Sequence, residues 1–219
     1  MTKIKICGFT NFADAYYANN YGADALGFVI DVPINTARNM TIEQTRTIIQ
    51  QLPPYTYVIG VTMEKTIEEL IQIIDQTGIS SLQIHGEFSD EKIAALKKIR
   101  GIPIIRSYTI ENGCSSKQVI TAIEKGIENG IDAVLLDTKG EKGGGGTGKV
   151  HDWTVSSNVR HSFDFPFILA GGIRLENVEQ AIEQVEPYAI DLASGVEAEP
   201  GKKDPEKIQT LIQKVREIT

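Results

Sequence analysis

A thiol and a carboxyl group each end a short apolar run, at a point where glycine soon follows. Cys7 closes the run 4–7 and precedes Gly8, and Asp137 follows the run 133–136, shortly before the glycine-rich segment 143–148. An apolar strand that ends in this way delivers its last side chain to the edge of a sheet. A thiol and a carboxyl group at such an edge indicate proton-transfer chemistry, if one fold brings them together.

Three turns in the last third of the chain have the composition of an anion cradle. They are Gly146-Thr147-Gly148, Gly171-Gly172 and Ser194-Gly195. Glycine lets backbone N–H groups approach a phosphate closely, and a helix N-terminus adds partial positive charge. One such turn alone is more often just a tight turn. Three of them, each after one of the last three apolar runs, predict a phosphate site.

The elements that must position these groups are eight apolar runs. Most are rich in Val, Ile and Leu without strict alternation, which is typical of parallel strands buried on both faces. Eight strands alternating with helices predict a (β/α)8 TIM barrel, with the phosphate site at the C-terminal ends of strands 6–8. An open doubly wound sheet is the alternative. The runs are 4–7, 25–30, 57–61, 81–84, 103–107, 133–136, 167–170 and 189–193.

The segments between the runs carry apolar residues at helical spacing. Ile67, Leu70 and Ile74 form one such stripe, and Gly78 is its expected stop. The segment 138–149 differs, because its glycine content predicts a mobile loop, followed by a short or irregular helix. The same glycine content suggests the hypothesis that residues 139–149 close over the phosphate. No linker or shift in composition divides the 219 residues, so we expect a single barrel domain over 1–219.

Composition and charge exclude several classes of partner. A net charge of −7 argues against a nucleic-acid binder, and it means that local donors must hold any anionic substrate. No apolar run is long enough to span a membrane and no leader precedes the first strand, so we expect a cytoplasmic protein without a membrane partner. The two cysteines, Cys7 and Cys114, have no metal-type spacing, so no metal is expected.

An ordered set of motifs along nearly the whole chain resembles the phosphoribosylanthranilate isomerase family. The family is a set of (β/α)8 enzymes of tryptophan biosynthesis. The matching stretches are KICG at 5–8, ADALGF at 23–28, LQIHG at 82–86, LLD at 135–137, GGGTG at 144–148, DW at 152–153, LAGG at 169–172, SGVE at 194–197 and the residues Pro200, Gly201, Lys203 and Asp204.

The resemblance implies conversion of N-(5-phosphoribosyl)anthranilate into 1-(2-carboxyphenylamino)-1-deoxyribulose 5-phosphate. This Amadori rearrangement needs no cofactor. By resemblance, Cys7 is the general base and Asp137 the general acid. Since an unperturbed thiol has a pKa of about 8.5, nearby donors or a helix N-terminus must then favour the thiolate form of Cys7. The Asp137 carboxyl must stay protonated, which requires burial or a neighbouring anion.

The resemblance also implies substrate contacts. Arg38 would meet the anthranilate carboxylate, although Thr36-Ala37 precedes it where the family has Ser-Pro, and a solvated arginine is the alternative. Gln83 and His85, at the end of the fourth run, would contact substrate, with a structural role as the alternative for His85. Asp191 would lie near the ribulose hydroxyls, or else accept from backbone donors. His151 and His161 are expected to be surface or loop residues.

Two other functions stay open. A histidine-pathway isomerase performs the same rearrangement in this fold. That family has an aspartate in place of Cys7 and a second set of glycine turns in its N-terminal half, which this sequence lacks. A non-catalytic barrel that binds a phosphorylated sugar would keep the glycine turns and lose Cys7 or Asp137, whereas both are present. A phosphoribosyl substrate is the expected partner, and the protein is expected to be a monomer or a homodimer.

Overall fold

Eight parallel strands form a closed barrel in the computed structural model, which describes residues 1–63, 65–86, 88–110, 113–138 and 151–219. Each strand pairs with the next along the chain, and the first also pairs with the eighth. The predicted (β/α)8 barrel is therefore confirmed. An open doubly wound sheet is excluded, because the pairing of the first strand with both the second and the eighth leaves no open edge.

The barrel strands lie close to the predicted runs. They are β1 Lys3–Cys7, β2 Ala25–Ile30, β3 Val58–Thr62, β4 Ser81–Ile84, β5 Ile104–Ile110, β6 Ala133–Thr138, β7 Phe167–Leu169 and β8 Ala189–Leu192. A two-residue strand, Asn39–Met40, extends β2 on one side. After β8 come a 3-10 turn, Ser194–Val196, and a hairpin of Glu197–Glu199 with Lys202–Lys203.

Eight helices surround the strands in the described part of the chain. They are α1 Phe12–Tyr21, α2 Ile42–Ile49, α3 Ile67–Thr77, α4 Asp90–Ile99, α5 Ser116–Glu128, α6 Trp153–Arg160, α7 Val178–Val185 and α8 Pro205–Ile218. Helix α6 is the short helix expected after the glycine-rich segment. Residues 139–150, on which the predicted closing loop falls, lie outside the described residues.

Local signals begin and end the helices as the side-chain chemistry requires. Thr66 begins α3 with a reciprocal capping box to Glu69, and Ser115 does the same for α5 with Gln118. Gly78 ends α3 in the left-handed region, with φ of 80°. None of the helices among the described residues is long and apolar enough to cross a membrane.

Two apolar layers hold the barrel together. The outer layer packs strands against helices, and a smaller inner cluster fills the barrel with side chains such as Cys7, Val61 and Leu135. Side chains alternate between the two faces of a strand, so Lys5 and Cys7 of β1 share the inward face. The Cys7 thiol therefore lies at the C-terminal end of β1 and faces the barrel interior.

Candidate active site

One cavity at the C-terminal ends of the strands collects most of the predicted site residues. Cys7 from β1 and Asp137 from β6 both line it. The structure thus brings together the two groups that the sequence presented separately. Also lining it are Arg38, Gln83, His85, Gly171, Gly172, Asp191 and Ser194. Gly195 lies behind this lining, against the Ile173 carbonyl, while Gly146, Thr147 and Gly148 lie outside the described residues.

The Cys7 thiol is almost fully enclosed, with 8% of the residue exposed. It lies across Gly27 of β2, where a Cβ atom would stand 2.7 Å from Sγ. Burial raises the pKa of the thiol, the Lys5 and Lys203 ammonium groups lower it, and the Asp191 carboxylate raises it; the net change is upward. In this structure the thiol is therefore the favoured form, opposite to the condition stated for a base.

A charged cluster connects the cavity lining with the barrel interior. The Lys5 ammonium donates to Asp191 Oδ2 and to Gln83 Oε1, each at 2.7 Å, and Gln83 Nε2 donates to Ser107 Oγ at 3.2 Å. Because β1 and β4 are not neighbours, the Lys5 contact to Gln83 crosses the barrel interior. Gln83 and Asp191, both predicted to bind substrate, are thus also partners of a buried lysine that sequence reasoning missed.

A second charged cluster lies at the rim, above Cys7. The Arg38 guanidinium donates to both Glu197 oxygens, at 2.8 and 2.7 Å. The fully buried Lys203 ammonium donates to Glu197 Oε1 at 2.9 Å, to the Cys7 carbonyl at 2.6 Å and to the Ala193 carbonyl at 3.1 Å. The Arg38 guanidinium is therefore paired with Glu197 along one of its edges and is not a solvated side chain.

Hydrogen-bond contacts of Asp137 hold the opposite wall. Asp137 Oδ1 accepts from the backbone N–H of Thr138 at 2.8 Å, and Oδ2 lies 3.3 Å from His85 Nε2. The predicted contact residue His85 is thus a direct neighbour of the predicted acid. The pair can orient the carboxyl group toward the cavity that both residues line.

His151 supports this wall from behind. It lies in a loop, as expected, but it is buried, with 4% exposed. Its Nδ1 lies 2.8 Å from Thr138 Oγ1, and its Nε2 is hydrogen-bonded to Ser156 Oγ. Burial lowers the pKa of His151 against the opposing effect of Asp137, so the neutral ring is favoured. Nothing in the flanking sequence signalled this burial.

The described glycine turns bring strand ends into close contact. A Cβ on Gly171, whose φ is 88°, would stand 2.2 Å from Thr138 Oγ1 and 2.6 Å from the Thr138 backbone nitrogen. A Cβ on Gly195 would stand 2.1 Å from the Ile173 carbonyl oxygen. Tight packing alone therefore requires glycine at these two positions, and the anion role of the turns stays a prediction.

The cavity wall on the Arg38 side is apolar. Val29, Val32, Ile34, Val61 and Met63 line it. This arrangement suits a flat apolar group that carries a carboxylate at the Arg38 end. Among the described residues, no group of three or more His, Cys, Asp or Glu side chains is placed to hold a metal ion.

Comparison with known proteins gives one consistent result. The model of the N-(5'-phosphoribosyl)anthranilate isomerase family matches residues 4–214. The enzyme of that name from Thermotoga neapolitana is 38% identical, with 99% of each chain covered, and that from Methanothrix thermoacetophila is 36% identical, also with 99% of each covered.

Solved structures agree with the sequence relatives. The phosphoribosyl anthranilate isomerase of Thermotoga maritima superimposes with a TM-score of 0.86 at 33% identity, covering 99% of this chain and 100% of that one. The enzyme from Thermus thermophilus superimposes with a TM-score of 0.85 at 31% identity, with both chains fully covered. With a full-length family match, two relatives above 30% identity and a barrel whose cavity holds the matching thiol and carboxyl, the chain belongs to the phosphoribosylanthranilate isomerase family.

Proposed function

We propose that this protein converts N-(5-phosphoribosyl)anthranilate into 1-(2-carboxyphenylamino)-1-deoxyribulose 5-phosphate, a step of tryptophan biosynthesis. The observation that carries the proposal is that Cys7 and Asp137 line one cavity of a family member. A related phosphoribosyl anthranilate isomerase, 31% identical, has been solved in complex with the reduced form of this product. The rearrangement is an internal redox isomerisation, so it consumes no cofactor.

Asp137 is the general acid in this proposal. It protonates the furanose ring oxygen, the ring opens, and a Schiff base forms between C1′ and the anthranilate nitrogen. This step needs a carboxyl group that carries a proton and faces the cavity. The His85 and Thr138 contacts support that orientation.

Cys7 is the general base. As a thiolate it removes the proton from C2′ of the Schiff base and gives the enolamine, which then tautomerises to the ketone. Two protons are added, at the furanose ring oxygen and at C1′, and two are lost, from C2′ and from the 2′-hydroxyl group, so the rearrangement is neutral in protons. Since burial raises the pKa of the resting thiol, the thiolate needs the cations around it to form.

The substrate lies across the cavity between two anion sites. The anthranilate ring contacts the apolar wall, and its carboxylate meets the free edge of Arg38, whose other edge Glu197 holds. We expect the phosphate at the turns Gly171-Gly172 and Ser194-Gly195. The third predicted turn, Gly146-Thr147-Gly148, belongs to the same proposal but lies outside the described residues. Asp191 and Gln83 lie near the ribulose hydroxyls.

The proposal also covers the ligand, the cellular location and the oligomeric state of the protein. We expect the phosphoribosyl substrate as the ligand, no nucleic-acid or membrane partner, and a cytoplasmic protein. The related Thermotoga maritima enzyme is described as dimeric, and both a monomer and a homodimer are compatible with this chain. Light scattering of the purified protein decides between the two states.

A direct assay tests the function. Phosphoribosylanthranilate is generated freshly, and its fluorescence is followed as wild type, Cys7→Ala, Asp137→Asn or the control Cys114→Ala is added. Each of the first two changes is expected to lower kcat by about 10²- to 10⁴-fold, the usual size of general acid–base catalysis, while Cys114→Ala stays near wild type. A folded wild type without turnover would contradict the proposal.

A further inference from the structure

A lysine is buried in the barrel interior, directly below the thiol. Lys5 is 3% exposed, and it faces the same side of β1 as Cys7, two residues away. Lysine is rarely so deeply buried, because taking an ammonium group out of water is costly unless partners compensate. A mere space-filling role would be served better by an apolar side chain.

The partners of Lys5 account for part of its hydrogen-bonding capacity. An ammonium group has three N–H donors. One bonds Asp191 Oδ2 and one bonds Gln83 Oε1, both at 2.7 Å. Gln83 is itself held by Ser107. The ammonium group therefore has a fixed position and a donor that neither partner uses.

The charge of Lys5 acts directly on the thiol. Its ammonium group favours the Cys7 thiolate, and the thiolate in turn favours the charged ammonium. Asp191 acts on Cys7 in the opposite direction. Within the described part of the chain, the other charged groups near Cys7 are Lys203, whose ammonium group donates to the Cys7 carbonyl, and Arg38 at the rim. Asp137, with His85, lies on the opposite wall of the same cavity.

We propose that Lys5 is a positioning residue for the isomerisation, whose buried ammonium group, held by Asp191 and Gln83, stabilises the thiolate of Cys7 and so sets the pH range in which the base is available. The inference deepens the proposed function, on which the role of Cys7 as base rests. It gives Lys5 a role toward the base, beside the substrate contacts proposed for its partners Asp191 and Gln83.

The test measures the thiol itself, apart from any turnover. In a Cys114→Ser background, the rate of Cys7 alkylation by iodoacetamide is followed from pH 6 to 10 for wild type, Lys5→Met and Lys5→Gln. Both variants remove the charge, and Lys5→Gln keeps a donor for Asp191 if Lys5→Met fails to fold. Lys3→Met is the matched control, because Lys3 lies on the same strand with an exposed side chain that bonds Asp24.

We expect the alkylation profile of the Lys5 variants to move to higher pH, so that the rate at pH 7.5 falls about tenfold, which corresponds to one unit of pKa. Lys3→Met should follow wild type. The base limb of the kcat/KM profile should move in the same direction. An alkylation profile that is unchanged in a folded Lys5 variant overturns the inference. If wild type shows no isomerase activity while the Lys5 variants still shift the alkylation profile, the proposed function alone is overturned.

Discussion

The two walls of the cavity are built from different chemistry. Around Cys7, five charged side chains meet within the barrel and at its rim: Lys5, Arg38, Asp191, Glu197 and Lys203. Around Asp137, the partners are His85 and the backbone of Thr138, backed by His151 and Ser156. The first wall is built from salt bridges between buried or half-buried side chains. The second is built from hydrogen-bond contacts of one carboxyl group, backed by His151, whose neutral form burial favours.

The difference suits the proposed division of labour. A base that works as a thiolate needs positive charge beside it, whereas a general acid must keep its proton, and a cation beside a carboxyl group favours its ionised form. Among the residues that the structure describes, the cations Lys5, Arg38 and Lys203 lie on the Cys7 wall, where Glu197 and Asp191 partly balance them. Behind the Asp137 wall, burial lowers the pKa of His151, which disfavours a positive charge on that ring.

The largest expected effect comes from breaking the ionic wall. Lys203→Met leaves the Cys7 and Ala193 carbonyls without their buried donor and removes one of the two cations on Glu197, so the free energy of unfolding should fall by about 3–5 kcal/mol. Urea denaturation measures it. Lys202→Met, the next residue of the same hairpin, is the control, because its exposed pair with Glu199 should contribute about 1 kcal/mol or less. Equal losses in both variants would contradict the ionic description of this wall.

The second prediction tests how precisely the Cys7 thiol must be positioned for catalysis. In Gly27→Ala the new methyl group would lie 2.7 Å from Cys7 Sγ, so the thiol must move. We expect kcat to fall by about 10²-fold, as displacement of a reacting group by an ångström typically costs. Gly101→Ala is the control, since no heavy atom lies within 4 Å of a Cβ there. Full activity in Gly27→Ala would show that the thiol position is not critical.

The stability of the Asp137 wall should be less sensitive to loss of one side chain. His151→Phe keeps a ring of similar size but leaves the Thr138 and Ser156 hydroxyl groups without their partner, so the free energy of unfolding should fall by about 1–3 kcal/mol. The exposed His161→Phe change should have little effect. If His151→Phe costs as much as Lys203→Met, the contrast between the two walls is wrong.

The smallest effect is a pH dependence. The pKa of His151 is lowered in the folded protein, while in the unfolded chain it is near 6.5. Below about pH 6.5 the unfolded chain therefore binds a proton that the folded protein binds less readily, and His151 lowers stability by up to about 1.4 kcal/mol per pH unit until the folded pKa is reached. Unfolding from pH 7.5 to 5.0 should show wild type losing stability relative to His151→Phe; a constant difference would refute it.

Much of the barrel was predictable because its signals are local. The apolar run before Cys7 and the stripe ending at Gly78 each lie within one element, and both elements form as expected. The pair Gly171-Gly172 likewise predicted a tight turn after a strand, and a Cβ at Gly171 would clash with Thr138. The burial of His151 was not predictable, because its partners Thr138 and Ser156 meet it only when the end of β6 and the start of α6 are packed together.

The sequence by itself determined the order of eight strands and the delivery of Cys7 and Asp137 to strand ends, because strand periodicity and glycine turns are encoded by adjacent residues. Only the tertiary structure decided the charge environment. Lys5 meets Gln83 and Asp191 at sequence separations of 78 and 186 residues, and Arg38 meets Glu197 at a separation of 159. A buried charge is stable only where the closed barrel supplies its partner, and no local pattern records which distant residue that will be.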